Sequence, residues 1–312
     1  MRVLVTGAFG FLGTAVVRRL ATAGHGVVAL TSRAEGDLLP TSAAAEVVHG
    51  DVRDPSAMKR VVTGVDAVCH LAALTRVRES FEHPREYLDV NAAGTGTLVS
   101  ALRDEAERSG RVPRIVQAST AAVYGTPVHQ PIAEDAATAP TSPYGESKLG
   151  ADRVILHAAG AHLSAVVFRI FNIAGAVDGR TDEDQTRIIP KALAVARGSA
   201  PQLEINGDGT AVRDFVHVDD LARAFVTAVD HSLTGHSAVF NVGATGASVA
   251  DIIDVVERVT GKQLRVKHMP PKPEPPRLLA DTSRIRAELG WKPERSSLAE
   301  IVSDAWQVVS TI

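Results

Sequence analysis

Short apolar runs alternate with longer stretches of helical periodicity through the first half of the chain. Six runs read as strands buried on both faces, over residues 2–5, 26–30, 46–49, 67–71, 114–118 and 164–169. Helical patterns lie between them, notably over residues 12–23, 84–109 and 143–159. The alternation predicts βαβ units with right-handed crossovers, and therefore an α/β fold built on a doubly wound parallel sheet.

The pattern changes after residue 171. Loops and separate helical patterns over 188–197, 251–260 and 298–309 replace the regular alternation. The proline-rich run 270–276 fits neither a helix nor a central strand, because proline lacks the backbone donor. We therefore predict a larger doubly wound domain over residues 1–171 and a smaller α/β lobe over 172–312, with parts of 211–243 rejoining the larger domain.

Composition narrows the possible partners. The 312 residues are 45% hydrophobic, which is enough to bury a large core. A formal net charge of −3 leaves no basic footprint for nucleic acid or an anionic membrane, and no apolar run reaches the ~20 residues of a membrane span. The one cysteine, Cys69, cannot form an intrachain disulfide. We expect a cytoplasmic protein that binds small molecules.

A glycine-rich turn follows the first predicted strand and opens the first helix. Gly7, Gly10 and Gly13 allow the backbone to approach a pyrophosphate at the positive N-terminus of that helix. Two residues separate successive glycines, which differs from the commoner fingerprint. The position of the turn nevertheless predicts a Rossmann-type dinucleotide-binding domain over residues 1–171.

A phenol and an ammonium share one face of a predicted helix. Tyr144 and Lys148 are four residues apart, so that both side chains project to the same side. A neighbouring positive charge favours the phenolate and lowers the pKa of a tyrosine from about 10, and an oxidised nicotinamide would add a second charge. The pair therefore predicts a general base that acts on an alcohol.

The glycine turn, the Tyr144–Lys148 pair and the hydroxyl of Thr120 together resemble the extended short-chain dehydrogenases/reductases of the NAD-dependent epimerase/dehydratase family. The resemblance covers almost the whole chain. Further segments are similar to sugar-nucleotide 4-epimerases of the UDP-glucose type, over residues 70–73, 119–125, 169–172, 212–220 and 288–291. The resemblance implies redox-neutral epimerisation of a nucleotide-diphospho-hexose, by oxidation at C4, rotation of the 4-keto intermediate and reduction on its other face.

The resemblance also assigns roles to matching positions. It implies that Tyr144 takes the proton of the sugar 4-hydroxyl, that Thr120 hydrogen-bonds that oxygen, and that Lys148 holds the nicotinamide ribose. The residues expected to bind the cofactor are Gly7, Gly10, Phe11, Leu12, Gly13, Thr31, Ser32, Arg33, Asp51, Val52, Leu71, Ala72, Ala73, Thr75, Asn91, Ser119, Tyr144, Lys148 and Phe171. Those expected to bind the sugar nucleotide are Thr120, Tyr144, Asn172, Arg187, Asn206, Arg213, Glu274 and Leu278.

The identity of the cofactor stays open between NAD and NADP. The family's NAD enzymes place an acid after the second strand, whereas this chain has Thr31, Ser32 and Arg33, which suit a 2′-phosphate. The resemblance favours NAD, for which Glu35 or Asp37 could supply the carboxylate. No metal is expected, since the histidines and the cysteine lack metal-ligand spacing. The family often dimerises through two helices, here predicted over 84–109 and 143–159, so we expect a homodimer.

Departures from the family pattern bear on the substrate. Thr75 and Asn206 replace residues that usually lie near the cofactor and the base, and Arg187 or Lys272 could replace a missing diphosphate-binding arginine. Ala121 and Ala122 occupy the positions of the acidic pair of the 4,6-dehydratases, which argues against dehydration. Two alternatives to an epimerase remain, an NADPH-dependent 4-ketoreductase and a non-catalytic dinucleotide-binding protein.

Overall fold

The computed structural model describes residues 1–32, 46–231, 236–272 and 274–311. Its strands are β1 Arg2–Thr6, β2 Gly26–Thr31, β3 Glu46–His49, β4 Ala67–His70, β5 Arg114–Thr120, β6 Ser164–Ile170, β7 Asn172–Ala174, β8 Ala176–Val177, β9 Arg180–Thr181, β10 Leu203–Asn206, β11 Val212–His217, β12 Ser237–Val242, β13 Thr245–Ser248, β14 Val266–Met269 and β15 Arg277–Leu278. Its helices are α1 Phe11–Thr22, α2 Pro55–Val61, α3 Val77–Ser80, α4 Pro84–Tyr87, α5 Gly94–Ser109, α6 Pro143–Ala158, α7 Ile188–Arg197, α8 Val218–Asp230, α9 Val249–Thr260, α10 Ser283–Leu289 and α11 Leu298–Val309.

A seven-stranded sheet lies at the centre of the larger part of the molecule. Its order is β12-β6-β5-β4-β1-β2-β3, and all neighbouring strands are parallel. The predicted doubly wound α/β fold is confirmed. The sequence pattern yielded six of the strands and missed β12, which pairs with β6 from a distant part of the chain.

Apolar side chains cover both faces of this sheet, because successive residues of each strand point to opposite sides. Val3 and Cys69 pack with α1 and α8 on one face, whereas Leu4 and Val68 pack with α2, α5 and α6 on the other. The order of the strands reverses between β1 and β4, and ligands bind at the carboxyl ends of the strands beside such a reversal. The site is therefore expected at this edge.

The helical pattern over 84–109 is interrupted in the structure. α4 and α5 are joined by a π-helical turn, Leu88–Ala93, rather than by α-helix throughout. Such turns are rare and frequently lie at functional sites. The turn contains Asn91, whose side chain is 1% exposed and points back toward the sheet edge.

A smaller sheet lies beyond the carboxyl edge of the large one. β11 pairs with β7, β13 and β15, and a separate apolar cluster joins it to α7, α9 and α11. A parallel pair, β10 with β14, completes this region. Within the residues that the structure describes, none of the helices has the length and apolar character needed to cross a membrane.

Candidate active site

The glycine turn forms a close contact with the loop that follows β4. Gly7 has a φ of +68°, a conformation that disfavours side chains, and a Cβ there would lie 2.8 Å from Ala72 N. Gly10 caps α1 without any side-chain hydrogen bond, so the first backbone N–H groups of the helix are not covered by a capping side chain. A phosphate group fits this arrangement of exposed donors and positive helix dipole.

A chain of hydrogen bonds under the turn fixes the tautomer of His70. Thr6 Oγ1 accepts from Leu71 N and Ala72 N at 3.1 Å, and its hydrogen is directed at His70 Nδ1, 2.8 Å away. His70 Nε2 lies 2.9 Å from Thr95 Oγ1, whose hydroxyl donates to Asn91 O at 2.6 Å. His70 Nε2 must therefore be the donor, and the ring is neutral.

Asn91 links the same loop to the helix that bears the predicted base. Its Oδ1 accepts from Leu74 N at 2.8 Å, and its Nδ2 donates to Leu74 O and to Ser147 Oγ at 2.9 Å. The Ser147 hydroxyl in turn donates to Tyr144 O at 2.8 Å. The π-helical turn thus places an amide where it fixes both the loop and the first turn of α6.

Tyr144 lies in the first turn of α6, which Ser142 caps by accepting from Gly145 N. Its ring meets the ring of Tyr87 edge-on, with the centroids 6.4 Å apart. Thr120, at the carboxyl end of β5, interacts with the Tyr144 phenol. The structure therefore brings Thr120 to the phenol of Tyr144, and Lys148 follows one turn later on the same helix.

The protonation behaviour of Tyr144 differs from the expectation. Burial raises the pKa of its phenol, and the opposing influences are the hydrogen bond with Thr120 and the charge of Arg187. Burial also lowers the pKa of Lys148, to about 8. Spacing predicted the pair, but burial decides its ionisation.

The buried surroundings of Lys148 include few charges. Its side chain is 3% exposed, and the nearest imidazole, His70, has its pKa lowered to about 3 by burial and by the Lys148 charge. Asp152 follows one helical turn later and is 1% exposed. Sequence reasoning missed Asp152, although its spacing from Lys148 places both on one face of α6.

Most of the predicted cofactor residues reach one edge of the sheet. They lie among the last residues of a strand, in the loop that follows one, or in the first turn of α1: Gly7, Gly10, Phe11, Leu12, Gly13, Thr31, Ser32, Asp51, Val52, Leu71, Ala72, Ala73, Thr75, Ser119 and Phe171. The Asp51 carboxylate accepts from Arg53 N and Nη2, at 2.8 and 2.7 Å, which lowers its pKa. Arg33, Glu35 and Asp37, from which the sequence analysis argues the preference for NAD or NADP, lie outside the described residues.

The predicted substrate residues come from β7, β10, β11 and β15 and the loops beside them. Asn172 Nδ2 donates to Asp214 O at 2.8 Å, which fixes the orientation of its amide. Arg213 donates through Nη1 to Pro275 O at 3.0 Å and through Nη2 to Glu274 Oε2 at 3.1 Å. The guanidinium expected at the diphosphate and the carboxylate expected at the ribose are therefore in contact.

Three further predicted substrate residues lie at separate points around this region. Arg187 precedes α7, pairs with Asp182 at 3.0 Å, and acts electrostatically on Tyr144. Leu278 is partly buried and packs with Phe171 and the 3₁₀ turn after Thr120. Asn206 is exposed at the end of β10. Arg187 thus lies near Tyr144, and Leu278 lies near the turn that follows Thr120, whereas Asn206 pairs with Met269 between β10 and β14.

Comparison with known proteins agrees with this geometry. Residues 3–243 match the NAD dependent epimerase/dehydratase family. A UDP-glucose 4-epimerase of Streptomyces lividans is 39% identical over 317 residues, which cover 97% of this chain and 94% of that protein.

Solved structures give the same result. The chain is similar to the UDP-glucose 4-epimerase from Brucella ovis in complex with NAD, with a TM-score of 0.91 and 32% identity, covering 99% of this chain and 98% of that one. It is also similar to the UDP-glucose-4-epimerase from Stenotrophomonas maltophila with bound NAD and formylated UDP-arabinopyranose, with a TM-score of 0.90, 32% identity, and coverage of 100% and 98%. The family predicted from the sequence is confirmed, and this chain belongs to the NAD-dependent epimerase/dehydratase family.

Proposed function

We propose that the protein is a sugar-nucleotide 4-epimerase that interconverts UDP-glucose and UDP-galactose or closely related UDP-sugars, with NAD as its bound cofactor. The observation that carries the proposal is the convergence of Thr120, Tyr144 and Lys148 at the carboxyl edge of the sheet, beside a glycine turn with no room for a side chain. Full-length similarity to enzymes of this activity supports it.

The residues present fit a dinucleotide. The Gly7 backbone and the first turn of α1 would hold the pyrophosphate, because the first N–H groups of that helix lack a side-chain cap and Gly7 has no side chain to obstruct the turn. Lys148 is buried, and among the described residues its ammonium forms no direct ion pair, although the charge of Asp152 acts on it from one helical turn away. Its N–H groups can therefore donate to ribose hydroxyls. Asp51 and Val52, after β3, would border the adenine.

The catalytic steps assigned to this chain are proton movement and orientation. When bound, NAD would supply a hydride acceptor for C4 and the positive charge of its oxidised ring. That charge opposes the effect of burial on the Tyr144 pKa. Tyr144 then accepts the proton of the 4-hydroxyl and returns it after the sugar has turned, while Thr120 hydrogen-bonds the same oxygen.

Epimerisation requires a firmly held nucleotide and a loosely held hexose. We assign the diphosphate to Arg213 and Asn172, since a guanidinium suits phosphate oxygens, and the ribose to Glu274. Leu278, an apolar side chain without hydrogen-bonding groups, would border the hexose and leave it free to rotate. Ala121 and Ala122 offer no carboxylate after Thr120, which favours epimerisation over 4,6-dehydration.

The experiment is an epimerase assay on the purified holoprotein with UDP-galactose, with the products read by NMR. Conversion to UDP-glucose without added reductant is expected, and Tyr144→Phe should lower kcat by at least about 100-fold while retaining NAD. Glu146→Gln, an exposed change in the same turn of α6, serves as the matched control. Stoichiometric consumption of NADPH would instead identify a 4-ketoreductase, and wild-type turnover in Tyr144→Phe would reject the assigned base.

Three further expectations belong to the proposal. We propose a homodimer formed through the helical segments over 84–109 and 143–159, which sedimentation at micromolar concentration would test. A cytoplasmic location follows from the reduced cysteine and the soluble substrates, and fractionation would test it. We keep the two units at 1–171 and 172–312, with 211–243 divided between them, since β12 pairs in the large sheet.

A further inference from the structure

A small set of charges is buried together between α6 and the sheet. Lys148 and Asp152 lie on α6 and are 3% and 1% exposed, and Arg169 lies on β6 and is 6% exposed. Two cations and one carboxylate therefore share a layer from which water is nearly excluded. Burial of a charge is costly unless a charge of opposite sign or several hydrogen bonds compensate it.

Partners other than Asp152 hold Arg169. Its Nη1 donates to Tyr124 Oη and to Glu134 O, each at 3.0 Å, and its guanidinium lies 4.9 Å from the centroid of the Tyr124 ring. Tyr124 is itself fixed, because its hydroxyl donates to Asn241 Oδ1 at 2.7 Å. The position of Arg169 is therefore set by three neighbouring segments of the chain.

The contact between Arg169 and Asp152 is long and involves only one of the two carboxylate oxygens. Arg169 Nε lies 3.4 Å from Asp152 Oδ2, whereas Asp152 Oδ1 has no hydrogen-bond partner of good geometry. The Ser119 hydroxyl also lacks a well-formed hydrogen bond, although it is near enough to lower the pKa of Asp152. A buried carboxylate oxygen without a partner destabilises the folded state. Asp152 lies on the same face of α6 as Lys148.

The other groups around Lys148 do not neutralise it. His70 faces it from β4 and is neutral, Arg169 on β6 has the same sign of charge, and Tyr144 is a phenol one turn earlier on α6. Among the described residues, Asp152 is the one acidic group whose charge raises the Lys148 pKa, in opposition to burial. Burial raises the pKa of Asp152, and the Ser119 hydroxyl and the charges of Arg169 and Lys148 oppose that rise.

We propose that Asp152 balances the buried charge of Lys148 from one helical turn away, without a direct ion pair, and is a positioning residue that keeps this side chain as an ammonium and acts on the reaction only through it. The catalytic consequence rests on the proposed function, but the effect of the Asp152 charge on the ionisation of Lys148 does not. Without the carboxylate, Lys148 would share its buried layer only with a second cation and neutral groups. The ammonium that is expected to hold the nicotinamide ribose would then be lost within the neutral pH range.

The test measures the ionisation of Lys148 directly. In holoprotein with ¹³C-labelled lysine side chains, the Lys148 resonance is assigned by its absence from Lys148→Met and followed against pH by NMR. In Asp152→Asn the Lys148 pKa should fall by about one unit or more below its wild-type value, and Asp152→Glu should restore most of it. Asp254→Asn, an exposed aspartate on α9, should leave it unchanged. An unchanged Lys148 titration in folded Asp152→Asn would overturn the proposal.

Activity provides the second measurement. The loss of kcat/KM at high pH should move to lower pH in Asp152→Asn, because the ammonium deprotonates earlier, and the Asp254→Asn profile should overlie that of the wild type. A uniform loss of activity at every pH would indicate a merely structural role and contradict the proposal. If the wild type itself proves not to be an epimerase, the proposed function fails, while the Lys148 titration still decides the charge relation.

A reciprocal measurement covers the case in which Asp152→Asn does not fold. Lys148→Met removes a buried charge and should fold. In protein with ¹³C-labelled aspartate carboxyls, the Asp152 pKa should rise by about one unit or more in Lys148→Met. An unchanged Asp152 pKa in that variant would overturn the proposal independently of the first experiment.

Discussion

Replacement of Gly7 by alanine should both strain the backbone and disturb the proposed pyrophosphate site. The same replacement at Gly24 strains the backbone alone and therefore serves as the matched control. Both glycines have positive φ, +68° at Gly7 and +82° at Gly24. A Cβ at Gly24 would meet nothing within 4 Å, whereas one at Gly7 would lie 2.8 Å from Ala72 N and 2.9 Å from Leu71 C. Gly24 precedes β2, at the amino edge of the sheet and away from the proposed site.

The strain is similar at the two positions, but the consequences differ. Left-handed backbone costs an alanine about 1–2 kcal/mol, partly offset by about 0.4–1 kcal/mol from the stiffer unfolded chain. At Gly7 the loop must also withdraw by about half an ångström to reach ordinary contact. That movement lengthens the bonds from Leu71 N and Ala72 N to Thr6 Oγ1, which are now 3.1 Å, beyond good geometry. Two weakened bonds add about 1–3 kcal/mol.

Urea unfolding and calorimetric titration of cofactor-stripped protein with NAD measure the two effects. Gly24→Ala should be destabilised by about 1 kcal/mol and bind NAD within about twofold of the wild type. Gly7→Ala should lose about 1–3 kcal/mol more and bind NAD at least about tenfold more weakly, since 1.4 kcal/mol corresponds to a factor of ten. Equal NAD affinity in the two variants would refute the placement of the pyrophosphate at this turn.

Two other perturbations test the surroundings of the site. Burial lowers the pKa of His70 to about 3 from 6.5, so its contribution to stability is full above about pH 6.5 and is lost as pH falls toward 3, by about 1.4 kcal/mol per unit. His70→Gln should lack this slope in unfolding free energies measured between pH 7 and 5, and an identical slope would show that His70 is not the titrating group. Arg213→Gln should raise KM for the UDP-sugar about tenfold or more, through loss of a charged hydrogen bond to the diphosphate. Unchanged initial-rate kinetics would show that Arg213 contacts no phosphate.

Local patterns in the sequence were sufficient to predict most of the large sheet and the residues at its carboxyl edge. Buried parallel strands are continuous apolar runs, so most of β1 to β6 could be recognised individually. The edge strand β3 was predicted to be buried on both faces but is largely exposed, because it has a neighbour on one side only. The Tyr144–Lys148 pair could be predicted because helical spacing alone places it on one face. The identity of the family followed from the same segments.

Long-range features could not be read in this way. β12 is a short apolar run that becomes a strand only by pairing with β6, far away in the sequence. The direction of the Tyr144 pKa depends on burial by distant segments, and spacing suggested the opposite direction. Asp152 and Arg153 are adjacent charged residues on α6 and look like a solvated face, but Asp152 is buried. The π-helical turn that places Asn91 likewise has no simple sequence pattern.

An epimerase must return the hydride taken from C4 to the same sugar, and an isotope experiment follows that return. The holoprotein is incubated with UDP-galactose that carries deuterium at C4, without added cofactor, and the product is analysed by NMR and mass spectrometry. If the hydride returns to the same sugar, the UDP-glucose formed retains deuterium at C4 through many turnovers. Product that has lost the label, or turnover that requires added NADPH, would contradict it.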